Sequence, residues 1–130
     1  MTSFIKVSLL GAALVWSASA YAEGNAEHGK TVFNQCKACH QIGPNAKNTA
    51  IAPEQNGVFG ATAGSRPGFN FSPAMKDAGA KGLVWNEENL DKFLTNPKEL
   101  VPGTKMIFPG LKNAADRADV IAFLKTQTAQ

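Results

Sequence analysis

A chain of 130 residues, 44% of them hydrophobic, is long enough for one small domain and no more. Thirteen Lys and Arg stand against ten Asp and Glu, and a net charge of only +3 gives no case for nucleic acid as a partner. Two cysteines are also too few to staple a disulfide scaffold.

The chain opens with an export segment. Met1 to Lys6 carries one positive side chain besides the amino terminus, and Val7 to Trp16 is an apolar run too short to span a bilayer. Ala18-Ser19-Ala20 and Ala20-Tyr21-Ala22 both fit a small-x-small cleavage pattern. Residues 1–22 therefore read as a secretory signal peptide. Cleavage is placed after Ala22, with Ala20 the alternative, because the polar Glu23-Gly24-Asn25 follows. No stop-transfer pattern comes after it, so an uncleaved anchor is not expected. The remaining domain, residues 23–130, is 108 residues long and has a formal charge of +2, since only Lys6 is lost.

Asn25 is a good N-cap, with Glu27 in the first turn, and Ala26, Gly29, Val32, Phe33 and Cys36 follow helical spacing. This first helix leads into Cys36-Lys37-Ala38-Cys39-His40, which holds both cysteines and one of the two histidines. Two thiols three positions apart on a helical turn can each add to a haem vinyl group, and the next residue, His40, can offer an imidazole nitrogen to the iron. A zinc site lacks ligands, since only His28 remains, and a thioredoxin-like pair belongs beside a βαβ pattern that this chain does not have. Thioether formation also explains why two cysteines of an exported chain need no disulfide.

Gly43-Pro44 ends that segment. From Pro44 to Gly82 the chain is rich in Gly, Pro, Asn, Ser and Ala, and Val58, Phe59, Phe69 and Phe71 are too irregularly spaced for a strand. Ser72-Pro73 reads as an N-cap with Pro at the first helical position, opening a short helix that ends at Gly79. So long a loop in a compact domain needs a reason. Wrapping a haem that stands in for packed core supplies one. Asn86 caps a third helix, with Glu87 and Glu88 at its positive end, Leu90, Phe93 and Leu94 on its buried face, and Asn96-Pro97 as its stop. Asn113 opens the last helix, with Asp116 in its first turn, Val120, Ile121, Phe123 and Leu124 apolar, and Lys125 near its end. The fold class is all-α: helices joined by loops, with no sheet.

Met1 leaves with the signal, so Met75 and Met106 remain as thioether ligands for the second axial position. Met106 lies in Pro102-Gly103-Thr104-Lys105-Met106-Ile107-Phe108-Pro109-Gly110, a loop bounded by Pro and Gly that can hold a sulfur over an iron. Met75 falls inside the short helical turn, where packing against the haem is the expected role. His28 is only twelve residues before His40 on the same helix and is badly placed for the opposite face. Met106 is the candidate distal ligand; an ordinary core methionine is the competing role.

Together these motifs resemble the class I cytochromes c, of the mitochondrial and bacterial c2 type. The resemblance is carried by Cys36-x-x-Cys39-His40, Gly57-Val58-Phe59-Gly60, Pro67-Gly68-Phe69, Trp85, Leu94-Thr95-Asn96-Pro97, Pro102-Gly103-Thr104-Lys105-Met106-Ile107-Phe108 and Asp119-Val120-Ile121-Ala122-Phe123-Leu124. It runs from about Gly24 to Thr126. It implies a small cytochrome c fold in which the first and last helices cross, with Gly29 and Phe33 against Phe123. It also implies Met106 as distal ligand, the Pro53 carbonyl as acceptor for the axial histidine, Trp85 as donor to a haem propionate, and Thr104 beside the ligand loop. Several positions depart from the family pattern. Ala61 replaces an Arg, Phe71 and Phe93 replace tyrosines, Met75 replaces an Asn, and Glu54-Gln55 stands for Asn-Leu. Either the pocket is drier than usual, or other groups such as Arg66 take over the propionates. A Phe at 93 lowers the potential by removing a bond to sulfur, whereas a drier pocket raises it.

The function implied is a periplasmic one-electron carrier and not an enzyme. It would hold one haem c through Cys36 and Cys39, ligated by His40 and Met106. Its partners would be redox proteins: a quinol–cytochrome c reductase on one side, and a terminal oxidase, reaction centre or dehydrogenase on the other. A monomer is expected, with no nucleic acid and no stable membrane insertion after cleavage. Lys37, Lys98, Lys105 and Lys112 are candidate docking cations, each weighed against an ordinary solvated charge. The rival class is a haem enzyme or gas-binding sensor, which needs a labile Met106.

Overall fold

The structure is a computed structural model that describes residues 23–130 together with Ala13 and Val15; apart from those two, the export segment and its cleavage point lie outside the described residues. Among the described residues five α-helices follow in order: α1 Ala26–Val32, α2 Pro73–Ala80, α3 Glu87–Thr95, α4 Pro97–Leu100 and α5 Ala114–Thr126. Among the described residues no helix is long and apolar enough to cross a membrane. The only β-type pairing among them is an isolated antiparallel bridge between Thr62 and Val84. The all-α expectation holds.

Each expected cap is made. The side chains of Asn25, Ser72, Asn86 and Asn113 accept backbone N–H groups of His28, Met75, Asn89, and Ala115 with Asp116, satisfying donors that a helix start otherwise leaves open. Two details differ from the expectation. α2 runs one residue past Gly79, to Ala80, and residue 79 is glycine for packing: a Cβ there would meet the Ala63 carbonyl oxygen at 1.9 Å. Asn96, in extended conformation, does stop α3, but Pro97 then starts the one-turn α4, its fixed φ suiting a first helical position.

The frame is the crossing of α1 and α5. A Cβ on Gly29 would sit 1.9 Å from the Asp119 carbonyl oxygen, so only glycine lets the two backbones approach this closely. Beside the crossing, the Phe33 and Phe123 rings pack with centroids 5.6 Å apart. Asp119 locks the crossing from outside: Oδ1 accepts the Asn25 N–H at 2.7 Å, and Oδ2 lies 2.7 Å from His28 Nδ1. On the inner side Val120 and Ile121 are almost wholly buried, next to Val32 and Phe33. Arg117 and Lys125 then pair α5 with Asp91 and Glu87 of α3. After Val32 the chain tightens through a 3-10 turn, Phe33–Gln35, and the Cys36 carbonyl accepts both the Cys39 and the His40 N–H, at 3.1 and 2.9 Å. The crossing therefore aims the Cys36–His40 turn.

Replacing Gly29 with alanine forces these backbones apart and should cost about 3 kcal/mol of stability, read as a lower denaturation midpoint in guanidinium. Asp119 predicts a pH dependence. The Asn25 N–H first, and then His28, hold its carboxyl below the ordinary 3.8, so its contribution is present above that value and lost as pH falls through the depressed folded value. The stability gap between wild type and Asp119→Asn should therefore persist at neutral pH and close in acid, measured as denaturation midpoints against pH.

Candidate haem site

The two cysteines are not joined in a disulfide; Cys36 is half-buried and Cys39 exposed. Burial, and secondarily the neighbouring Cys39, push the Cys36 thiol up to about 11. A thioredoxin-like pair needs the reverse, a thiolate stabilised near neutrality. Cys36 therefore lacks the depressed pKa that a thioredoxin-like nucleophile needs.

His40 is half-buried, with Nδ1 2.7 Å from the Pro53 carbonyl oxygen. A carbonyl can only accept, so Nδ1 carries the proton and Nε2 keeps its lone pair. Nε2 has no hydrogen-bond partner among the described residues and is not sealed in the interior. Burial lowers the pKa of the ring against the smaller opposing effect of the Pro53 bond, so the imidazole is neutral, the form that binds a metal.

Pro53 is held by the loop around it. The Thr49 hydroxyl donates to the Cys39 carbonyl at 3.1 Å and accepts the Ala52 N–H at 3.0 Å. Asn48 accepts the Glu54 N–H at 3.0 Å, and the Gln55 N–H donates to the Gln41 carbonyl at 2.9 Å. Buried Asn56 exchanges two 2.9 Å bonds with the backbone of Gly43. Arg66 closes this network, pairing with Glu54 at 2.8 Å and donating to the Asn56 carbonyl. Arg66 is therefore engaged within the loop. Glu54, a departure from the family pattern, is its counter-ion. Sequence reasoning missed this clamp; the only signals were that departure and an Asn directly before Gly57.

Met106 is half-buried against the core, on a strap whose ends are Val101 and Leu111, both buried. The strap turns at Gly103, φ 91°, where the Thr104 N–H reaches the Val101 carbonyl at 3.0 Å. The Thr104 hydroxyl accepts the Met106 N–H at 3.3 Å, so Thr104 orients Met106 through the Met106 backbone. At the far end the Leu111 N–H bonds the Leu94 carbonyl at 2.7 Å, and a Cβ on Gly110 would lie 2.1 Å from the Thr95 carbonyl oxygen. Met75, by contrast, is an interior residue of α2.

Trp85 is buried against Phe93, ring centroids 4.8 Å apart, and is fixed by its N–H bond to the Ala61 carbonyl at 2.9 Å. Its indole N–H has no partner among the described residues and is not sealed off, as a propionate donor requires. Phe71 packs edge-on to Phe69 at 4.9 Å. His28 is exposed on the α1–α5 lock; with Asp116 and Asp119 it forms a group of possible metal ligands, but Asp119 is already taken by Asn25 and His28 itself. Lys37, Lys98, Lys105 and Lys112 are all exposed. Paired thiols, an available imidazole lone pair, a thioether, and half-buried Val58, Phe59, Phe71 and Phe108 around the core make a donor set and lining that fit a haem.

Comparison with known proteins agrees. The family described as cytochrome c matches residues 26–128. Cytochrome c2 of Rhodomicrobium vannielii is 63% identical over 126 residues, 97% of this chain and 98% of that protein. Cytochrome c-554 of Methylosinus trichosporium is 49% identical over 110 residues, 85% of this chain and 80% of that one. Among solved structures, cytochrome c2 of Rhodospirillum centenum superposes with a TM-score of 0.77 at 36% identity, covering 82% of this chain and all of that one. Cytochrome cH of Methylobacterium extorquens gives 0.72 at 43%, covering 80% and 100%. The chain belongs to the cytochrome c family: it holds one haem c covalently through its two cysteines and is an electron carrier rather than an enzyme.

Proposed function

We propose that this chain is a periplasmic one-electron shuttle in which His40 and Met106 occupy the two axial positions of the iron. The observation that carries the reading is the 2.7 Å bond from His40 Nδ1 to the Pro53 carbonyl, which leaves Nε2 as the only ring nitrogen free to ligate. Pro53, itself held by the loop clamp, keeps the ring oriented, and Thr104 does the same for Met106 through its backbone. When bound, the haem supplies a one-electron Fe(III)/Fe(II) couple, with a thioether ligand favouring the reduced state. The protein's part is to keep both axial positions filled, so that electron exchange requires no bond to form or break. Trp85 would anchor a propionate, and the half-buried phenylalanines exclude water. Exposed Lys37, Lys98, Lys105 and Lys112 would steer acidic faces of a quinol–cytochrome c reductase and of an oxidase, reaction centre or dehydrogenase, weakening as salt rises.

Carbon monoxide added to the reduced holoprotein tests the reading, because it binds only an iron with a vacant or yielding position. The wild-type spectrum should stay unchanged, while Met106→Ala should bind the gas readily. Prompt binding by the wild type would instead favour the sensor or enzyme class.

A further inference from the structure

Among the described residues two ion pairs join α5 to α3, and one of them continues into the strap that carries Met106. Lys125 meets Glu87 at 2.8 Å and turns to the Phe59 ring, its Nζ 5.0 Å from the centroid. Arg117 meets Asp91 through Nε at 2.7 Å, while its Nη1 donates to the Leu111 carbonyl at 2.9 Å and to the Lys112 carbonyl at 3.3 Å. The Arg117 side chain is only 12% exposed. Its charge has therefore left most of its water, and the carboxylate and the carbonyls replace that hydration. Leu111, the buried end of the strap, is thereby held on both sides: its N–H bonds the Leu94 carbonyl at 2.7 Å, and its carbonyl bonds Arg117. The Lys112 ammonium adds two longer contacts, 3.4 Å to the Thr95 carbonyl and 3.3 Å to the Pro109 carbonyl. A planar guanidinium can address a carboxylate and a carbonyl at once from one fixed geometry, which an ammonium on a flexible stem does not match.

We propose that Arg117 is a positioning residue for the distal ligand: paired with Asp91, it clasps the far end of the strap and so keeps Met106 at the iron. The proposal rests on Met106 being that ligand. The clasp matters most in the oxidised protein. A soft thioether suits Fe(II) and holds Fe(III) less well, so in the ferric state the sulfur depends more on a strap that cannot swing away. Five residues separate Met106 from Leu111, too few to absorb a displaced end without moving the sulfur. Asp91 completes the device, because without it Arg117 would be a mostly buried cation with carbonyls alone to pair it.

The test uses holoprotein carrying Arg117→Met, which keeps an unbranched side chain and loses the donors, with Asp91→Asn as the second variant should the first fold poorly. Glu87→Gln, which breaks the other α3–α5 pair, is the control. Two quantities are read: the cyanide affinity of the ferric protein, which rises when Met106 yields its place, and the hydrogen-exchange rate of the Leu111 N–H, which reports opening at the end of the strap. Arg117→Met should raise cyanide affinity about tenfold, the order of a lost charge-assisted hydrogen bond, and should speed exchange at Leu111. Asp91→Asn should move both the same way by less, and Glu87→Gln should leave both at wild-type values. Unchanged cyanide affinity in either variant, or a rise without faster exchange at Leu111, overturns the proposal. So does an equal rise in Glu87→Gln, which would show that any loosening of α3 against α5 is enough. If the reduced wild type binds carbon monoxide promptly, Met106 is not the ligand and the axial reading itself falls. If the wild type resists the gas and the variants bind cyanide no more tightly, only the role of Arg117 falls.

Discussion

The hydrogen bond from His40 Nδ1 to the Pro53 carbonyl constrains more of this molecule than any other contact. It selects the tautomer, leaves the Nε2 lone pair available and holds the ring plane. A ligand that had to find this orientation on binding would lose rotational freedom at that moment. Here the chain has already restricted it. Pro53 can serve only because its own position is determined by Thr49, Asn48, Gln41, Asn56 and the Glu54–Arg66 pair, so a loop with almost no regular structure is held by side-chain-to-backbone bonds.

The helical frame answers a different need. Gly29 lets α1 and α5 approach until backbone meets backbone, and Asp119 ties their outer faces. That crossing determines where the turn bearing Cys36, Cys39 and His40 emerges. On the other side α3, α4 and the buried ends Val101 and Leu111 fix the strap that carries Met106. The two ligand candidates therefore sit on separately braced pieces, each tied to the same core. Such an arrangement suits an iron that must keep the same surroundings in two oxidation states.

The helices were legible in the sequence because their signals are local: an Asn or Ser cap, acidic first turns, apolar residues at helical spacing. The CxxCH run was legible because few chemistries use that spacing. The loop clamp was not. Asn56 and Gly43 are thirteen residues apart, and Arg66 reaches back to Glu54 across a stretch without periodicity, so no local pattern marks these partners. Likewise Gln55 reads in sequence as a lost leucine, and only the folded loop shows its amide beside His40 and the Pro53 carbonyl. Gly79 misled for a related reason: it looks like a helix end but serves a close approach to Ala63.

The central claim is that His40 and Met106, and not Met75, face the iron from opposite sides. Carbon-13 labelling of the methionine methyl groups, followed by NMR of the ferrous holoprotein, tests it most directly, because a methyl held over the macrocycle is shifted far upfield by its ring current. The account predicts one such methyl, lost in Met106→Leu and retained in Met75→Leu. A shifted methyl that belongs to Met75, or the absence of any, would contradict it.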